Sequence, residues 1–356
     1  MKIFNFFKIT GLIILLMGVI SCGRKEKYYS ADDFTIIPKI DAHFHYYSTD
    51  GRFVDFAISQ HFSLISPNVD TEMSIDEQWQ IARGILRSHP SGIAFLGTFS
   101  VDGFAGPGFE PATICKINNY LKEGASGIKI WKNIGMELRD SSGRYVMADN
   151  PAFEPIYLYL EKNKIPLLAH LGEPRNCWLP VEEMTDNGDR NYYKEHPQYH
   201  MYLHPEMPSY EDQISARDRL LEKYPGIVFV GAHLGSLEWN VDELAKRLDH
   251  YPNFSVDMAA RIGHFKNQSK VDRERVRQFM INYQDRILYA TDMSVHDGMV
   301  ENFENSTRNI RKTWLSDWMY LATDSISGEI RGLKLPSDVI DKIYFRNAMR
   351  IFKLNH

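Results

Sequence analysis

Apolar runs and amphipathic stretches alternate along the chain from Thr35 onward. The runs are TIIPKIDAHFH from Thr35, FSLIS from Phe62, IAFLGTF from Ile93, GIKIWK from Gly127, IPLLAHLG from Ile165, IVFVGAHLG from Ile227, FSVDMA from Phe254 and ILYATDMS from Ile287, eight in all. Near-continuous apolar runs of this length suit strands covered on both faces. The segments between them, among them DEQWQIARGILRS, ATICKINNYLKEG, NPAFEPIYLYLEKNK, QISARDRLLEKYPG, NVDELAKRLDHYP and DRERVRQFMINYQ, repeat their apolar residues with helical spacing. Several end in Gly, Asn-Lys or Tyr-Pro, which are helix stops. Eight buried strands alternating with helices over about 250 to 300 residues predict a single (β/α)8 TIM barrel. The alternative, an open doubly wound sheet, would bring a Gly-rich phosphate turn after the first strand, and DAHFHYYSTDG is not one.

A barrel places its chemistry at the C-terminal ends of its strands. His43 and His45 end the first run, His170 the fifth, His233 the sixth and Asp292 the eighth. Residues two apart on a strand face the same way, so His43 and His45 can converge on one divalent cation such as zinc. Two imidazoles alone fall short of a protein metal site, but the other rim residues supply the remaining donors. Taken singly, each has a plainer reading as a loop-bonding histidine or a helix-capping aspartate.

The N-terminus stands apart from the barrel. Met1 to Ile20 carries Lys2 and Lys8 ahead of the apolar ITGLIILLMGVI, and VISC ends at Cys22. The apolar run has signal-peptide length and is short for a membrane-spanning helix. The stretch resembles a bacterial lipobox, which divides the chain into a lipoprotein signal peptide at 1–21, a polar tether at 22–34 and the barrel at 35–356. Lipidation at Cys22 would anchor the protein to a membrane of the cell envelope, outside the cytoplasm and not across the bilayer. Cys115 and Cys177 make no disulfide framework and are expected to be free. A net charge of -5 with no long basic run excludes nucleic acid as a partner. Self-association into a homo-oligomer stays open.

DAHFH, AHLGEP, GAHLGS, YATDMS and the C-terminal IYFRNAMRIFKL together resemble the amidohydrolase superfamily. They are most similar to its amidohydrolase-related branch, which includes aminocarboxymuconate-semialdehyde decarboxylase and related metal-dependent hydrolases. The resemblance covers nearly all of the chain after the signal peptide. It implies that His43, His45, His170 and Asp292 hold the metal, with zinc the usual occupant and manganese or iron compatible, and that His233 is catalytic beside it. It also makes Lys129 a candidate carboxylated lysine bridging a second metal, whereas Lys132 is expected in a loop or at the surface.

The implied chemistry is hydrolysis of an amide, ester or lactone, with Asp292 handling the proton of the attacking water and His233 stabilising the oxyanion. A decarboxylase of the same fold is the alternative, and a non-catalytic ligand-binding lipoprotein a further one. The stretch from Arg175 to Asp212 is long for a βα connection and rich in aromatics, so it is expected to be a lid loop after strand five. Its His196, His200 and His204 are irregularly spaced and expected at the surface. Arg175, and Arg261 after strand seven, are candidates to grip an anionic small-molecule substrate.

Overall fold

The computed structural model describes residues 26–71 and 73–354. The main sheet has eight strands: β1 (Lys39–Asp41), β2 (Phe62–Pro67), β3 (Ile93–Thr98), β4 (Gly127–Ile130), β5 (Leu167–Ala169), β6 (Phe229–Gly231), β7 (Phe254–Asp257) and β8 (Ile287–Leu288). Each pairs in parallel with the next in sequence. The ends of the sheet meet beyond the strands proper, where the Ala42 N–H donates to the Tyr289 carbonyl at 3.0 Å and the Asp292 N–H to the His43 carbonyl at 2.8 Å. A rim pair, His45–Tyr47 running parallel to Ser294–His296, completes the junction. The ring is the predicted TIM barrel.

One interior cluster stacks Ile40, Ile65, Leu96, Leu168, Val230 and Leu288 from six strands against Ala348, Ile351 and Phe352 of the C-terminal helix (Asn347–Phe352), which therefore stoppers the lower mouth. The upper mouth is left to polar side chains. Outside run α1 (Arg52–Ser59), α2 (Ile75–Ser88), α3 (Phe109–Lys122), α4 (Glu154–Asn163), α5 (Tyr210–Lys223), α6 (Val241–His250), α7 (Arg273–Asn282) and α8 (Phe303–Ala322). Ser74 caps α2 through its hydroxyl, and Ser209 with Asp212 forms a reciprocal capping box on α5. The α8 helix buries Ile310, Trp314, Trp318 and Leu321, and Trp314 stacks on Phe62 of β2 at 4.1 Å.

The segment expected as a tether is docked from Lys27 onward. The Lys27 carbonyl accepts from the Ser337 N–H, the Tyr29 hydroxyl donates to Asp341, Trp318 donates to the Ser30 carbonyl, and Phe34 is buried. Cys22 and the signal-peptide stretch lie outside the described residues, and among those described no helix is long and apolar enough to cross a membrane. Cys115 is exposed on α3, Cys177 is buried, and both are free.

The stretch expected as a lid loop is folded. It holds the helix Asn187–Glu195 and several 3-10 turns, and it packs Cys177, Met184, Tyr193 and Met201 into a small core of its own. Of its three histidines, His196 and His204 are half-buried and His200, contrary to expectation, is buried with Nε2 2.8 Å from the Leu179 carbonyl. That bond holds two of the segment's turns together, work that irregular spacing does not reveal.

Candidate metal centre

The two histidines of DAHFH do not share a continuous strand. β1 stops at Asp41, the chain bends through Ala42 to Phe44, and the rim strand begins at His45. Phe44 is buried while the two rings still approach, edge on, with centroids 5.1 Å apart. Asp292 reaches the same point because its backbone is left-handed, with φ 64°, an uncommon conformation for a non-glycine residue that recurs at functional sites. Its Oδ1 lies 3.4 Å from His43 Nε2 and 3.3 Å from His45 Nε2. All three donors fall within 4.8 Å of one another.

Each ring's tautomer follows from its neighbours, since an oxygen without a hydrogen can only accept. His43 Nδ1 faces Asp257 Oδ2 at 2.9 Å, His45 Nδ1 faces the Pro67 carbonyl at 3.1 Å, and His233 Nδ1 faces the Ala259 carbonyl at 2.9 Å. In His43 and His233 Nδ1 carries the hydrogen and Nε2 keeps a lone pair; His45 Nδ1 also meets the Tyr47 hydroxyl at 2.9 Å, and the Pro67 carbonyl, which can only accept, favours the same tautomer there. His170 Nε2 is buried without a partner. The donors of a tetrahedral site with bonds of about 2.0–2.1 Å stand about 3.3–3.4 Å apart, so a divalent cation fits the residues present.

The predicted donors converge unequally. His43, His45 and Asp292 form one group, whereas His170 falls outside it and packs on His233 with ring centroids 4.2 Å apart. His233 in turn stands 5.2 Å from His43. Lys129 is fully buried and its Nζ lies 3.3 Å from His43 Nε2, inside the cluster. Burial pushes the Lys129 ammonium down to about 8 and the His233 imidazolium down to about 3. Burial opposes ionisation of the Asp292 carboxyl too, and it is in their charged form that the His233, His45 and His43 rings reverse this and draw it well below the usual range.

His233 opens a left-handed turn, with φ of 57°, 59° and 59° at His233, Leu234 and Gly235. A side chain at Gly235 would meet the Phe254 ring at 2.7 Å, so glycine is required there. With Nδ1 committed to a carbonyl, a neutral His233 can accept a proton at Nε2 and cannot donate one there. This differs from the oxyanion-stabilising role expected from the sequence, which needs a hydrogen on the inward nitrogen.

Two residues that the sequence reading left without a role complete the frame. Asp257, the last residue of β7, accepts from His43 and from the His233 and Ala259 N–H groups at 2.8 and 3.1 Å. A carboxylate ending a barrel strand in FSVDMA was its available signal. Asp41, inside DAHFH, accepts from the Thr291 hydroxyl at 2.6 Å, the Thr291 N–H at 3.0 Å and Trp314 Nε1 at 3.0 Å. It therefore ties the end of β1 to the turn that carries Asp292.

Beside the cluster, Glu173 Oε2 lies 3.9 Å from His170 Nε2, and its other oxygen pairs with Lys132. Lys132 is in a loop as expected, but it faces a cavity of about 1050 Å³ that Trp131, Glu173, Tyr192 and Tyr199 also line. The segment from Arg175 onward, which supplies Tyr192 and Tyr199, folds over this loop. Of the two candidate substrate arginines, Arg175 lays its guanidinium over Trp239 at 4.2 Å, and Arg261 is buried near His233. A second grouping of acids, Asp186 and Asp189 with His264, has other work. Asp186 caps the helix Asn187–Glu195 and accepts from Asn267, while Asp189 meets Asn176 and His264. It clasps this segment to the helix Ile262–Val271.

The model of the family described as amidohydrolase matches residues 40–354. No curated protein sequence matches the chain. Among solved structures, an uncharacterised TIM-barrel protein from Bordetella bronchiseptica is similar at TM-score 0.52 and 13% identity, covering 89% of this chain and 99% of that one. A protein described as amidohydrolase II gives TM-score 0.53 at 15% identity, covering 89% and 100%. The 2,6-dihydroxybenzoate decarboxylase from Rhizobium gives 0.52 at 16% identity, covering 90% and 100%. At these identities the likeness is one of fold.

Proposed function

The chain belongs to the amidohydrolase family, and from that premise we propose that it is a metal-dependent hydrolase cleaving an amide, ester or lactone bond of a small molecule. The observation that carries this reading is the convergence of His43 Nε2, His45 Nε2 and Asp292 Oδ1 at 3.3–3.4 Å about the carboxylate oxygen. His170, with its unpartnered Nε2, would complete the ligand set, and Lys129 is close enough to join as a carbamate. Zinc suits these donors, and manganese or iron is compatible. Bound there, a divalent cation would polarise a substrate carbonyl and bring the pKa of water from 15.7 toward about 7.

The chain's own residues then divide the work. Asp292 stays ionised and takes the proton of the attacking water, then returns it to the leaving group. His233, kept neutral by burial, is too weak a base to share that proton and instead lines the reacting centre beside His43 and His170. The folded segment between β5 and α5 acts as a lid that limits water around the substrate. Membrane anchoring through Cys22 remains part of the proposal.

The test is metal content measured beside turnover on amides, esters, lactones and aromatic carboxylic acids. The expected result is one to two equivalents of metal and hydrolysis abolished by chelation and restored by zinc. Carbon dioxide release from the acids without hydrolysis elsewhere would replace this reading with a carboxy-lyase. Stoichiometric metal with no turnover on any class would replace it with a binding protein.

A further inference from the structure

The turn after β7 presents Arg261 at the barrel mouth. Ala260 is left-handed, with φ 54°, and its N–H is held by the Thr291 carbonyl at 3.1 Å. Arg261 is only 9% exposed, yet of its five N–H bonds the protein engages one, Nη1 to the Ala260 carbonyl at 3.3 Å. Its Nε is buried without a partner. Glu238 faces the same region at 1% exposure, with one oxygen accepting the Arg175 N–H at 2.8 Å and the other, Oε2, buried and unpartnered. Glu238, Asp189 and Glu173 all stabilise the Arg261 charge at a distance, and among the described residues none forms an ion pair with it. Buried polar groups are normally satisfied, and a guanidinium edge left open beside a reactive cluster is suited to receive an anion.

We propose that Arg261 is a carboxylate subsite, so that the substrate is a small monocarboxylic acid. Arg261 does not itself line the cavity of Trp131, Tyr192 and Tyr199, but Glu173, which acts on its charge, does, so the apolar or aromatic body of the substrate would extend past Glu173 into that cavity. The inference rests on reading the His43, His45 and Asp292 cluster as the reacting centre. Two observations link the two sites. The charge of Arg261 acts on His233, and Glu173 both lines the cavity and approaches His170 at 3.9 Å. A flat guanidinium edge matches a carboxylate through two parallel hydrogen bonds. A phosphate dianion would bring twice the charge toward three neighbouring carboxylates and is disfavoured. Arg175 is the weaker candidate, because its guanidinium lies half-exposed over the Trp239 ring whereas that of Arg261 is buried.

The experiment is calorimetric titration of the full chain, zinc-loaded and after chelation, with benzoate, neutral benzamide and phenyl phosphate. The wild type should bind benzoate at least tenfold more tightly than the other two in both metal states. Arg261→Gln should lose at least tenfold in benzoate affinity with benzamide unchanged, and Arg175→Gln should match the wild type. Arg261→Lys, checked by circular dichroism, keeps the charge without the fork and should fall between, which covers the case in which the Gln variant does not fold. Absence of benzoate binding to the wild type, equal affinity in the Arg261 variants, or a loss confined to Arg175→Gln overturns the subsite. So does benzoate binding that disappears on chelation, because the anion then sits on the metal. If the chain takes up no zinc while its benzoate affinity still depends on Arg261, the subsite stands and the hydrolytic reading falls.

Discussion

Asp257 Oδ2 stands 2.9 Å from His43 Nδ1, and the two side chains are each about 1% exposed. The other oxygen of the same carboxylate takes the His233 N–H. One side chain therefore sets the tautomer of a candidate ligand just after the first strand and the start of the left-handed turn after the sixth. Asp257→Asn keeps the shape and removes the charge that favours Nδ1–H. Metal affinity should fall about 10- to 100-fold, read by competition with a chromophoric chelator. Unchanged affinity would reduce Asp257 to a support for the turn.

Asp292→Asn retains an oxygen in the cluster but lacks a basic carboxylate. Metal content should largely remain while kcat falls ~10²- to 10⁴-fold. His233→Gln should likewise retain metal, whereas His43→Ala and His45→Ala should empty the site. Metal content measured beside kcat for the set separates these roles, and near-normal turnover in Asp292→Asn would remove Asp292 as the base.

Lys129 is the only lysine that bonds a cluster histidine among the described residues. If it is carboxylated in the loaded enzyme, Lys129→Ala should drop from two metals to one, and bicarbonate or a short carboxylate should restore part of the activity. One metal per chain at full wild-type activity leaves Lys129 as a hydrogen-bond donor to His43.

The clasp between the helices Asn187–Glu195 and Ile262–Val271 should weaken in acid. Burial alone would raise the Asp189 carboxyl, but His264, Arg261 and Asn176 hold it below its ordinary value. A carboxylate whose folded pKa is depressed contributes stability above its unfolded pKa of about 3.9 and loses it as pH falls further. Hydrogen exchange in residues 187–195, corrected for intrinsic rate, should therefore accelerate below about pH 4, and Asp189→Asn should flatten that dependence.

Asp41→Ala would strand the Thr291 hydroxyl and the buried Trp314 indole N–H. Each orphaned group costs about 1–3 kcal/mol, so denaturant unfolding should show a loss of roughly 2–6 kcal/mol. A loss well under 1 kcal/mol would mean that water replaces the carboxylate.

The barrel was legible because its strands are covered on both faces and so read as unbroken apolar runs, and because strand ends are where such a fold exposes polar residues. That logic alone drew out His43, His45, His170, His233 and Asp292. It passed over α8, although Ile310, Trp314, Trp318 and Leu321 recur at steps of four, four and three, because its intervening residues are polar. Periodicity records which face a residue shares, and the bend after Asp41, the left-handed backbone at His233 and Asp292 and the buried second acceptor of Glu238 leave no periodic trace. Which histidine nitrogens point inward was likewise decided by carbonyls and a carboxylate from other strands. Those partners, Pro67, Ala259 and Asp257, are distant in sequence from the rings they orient and meet them only when the sheet closes.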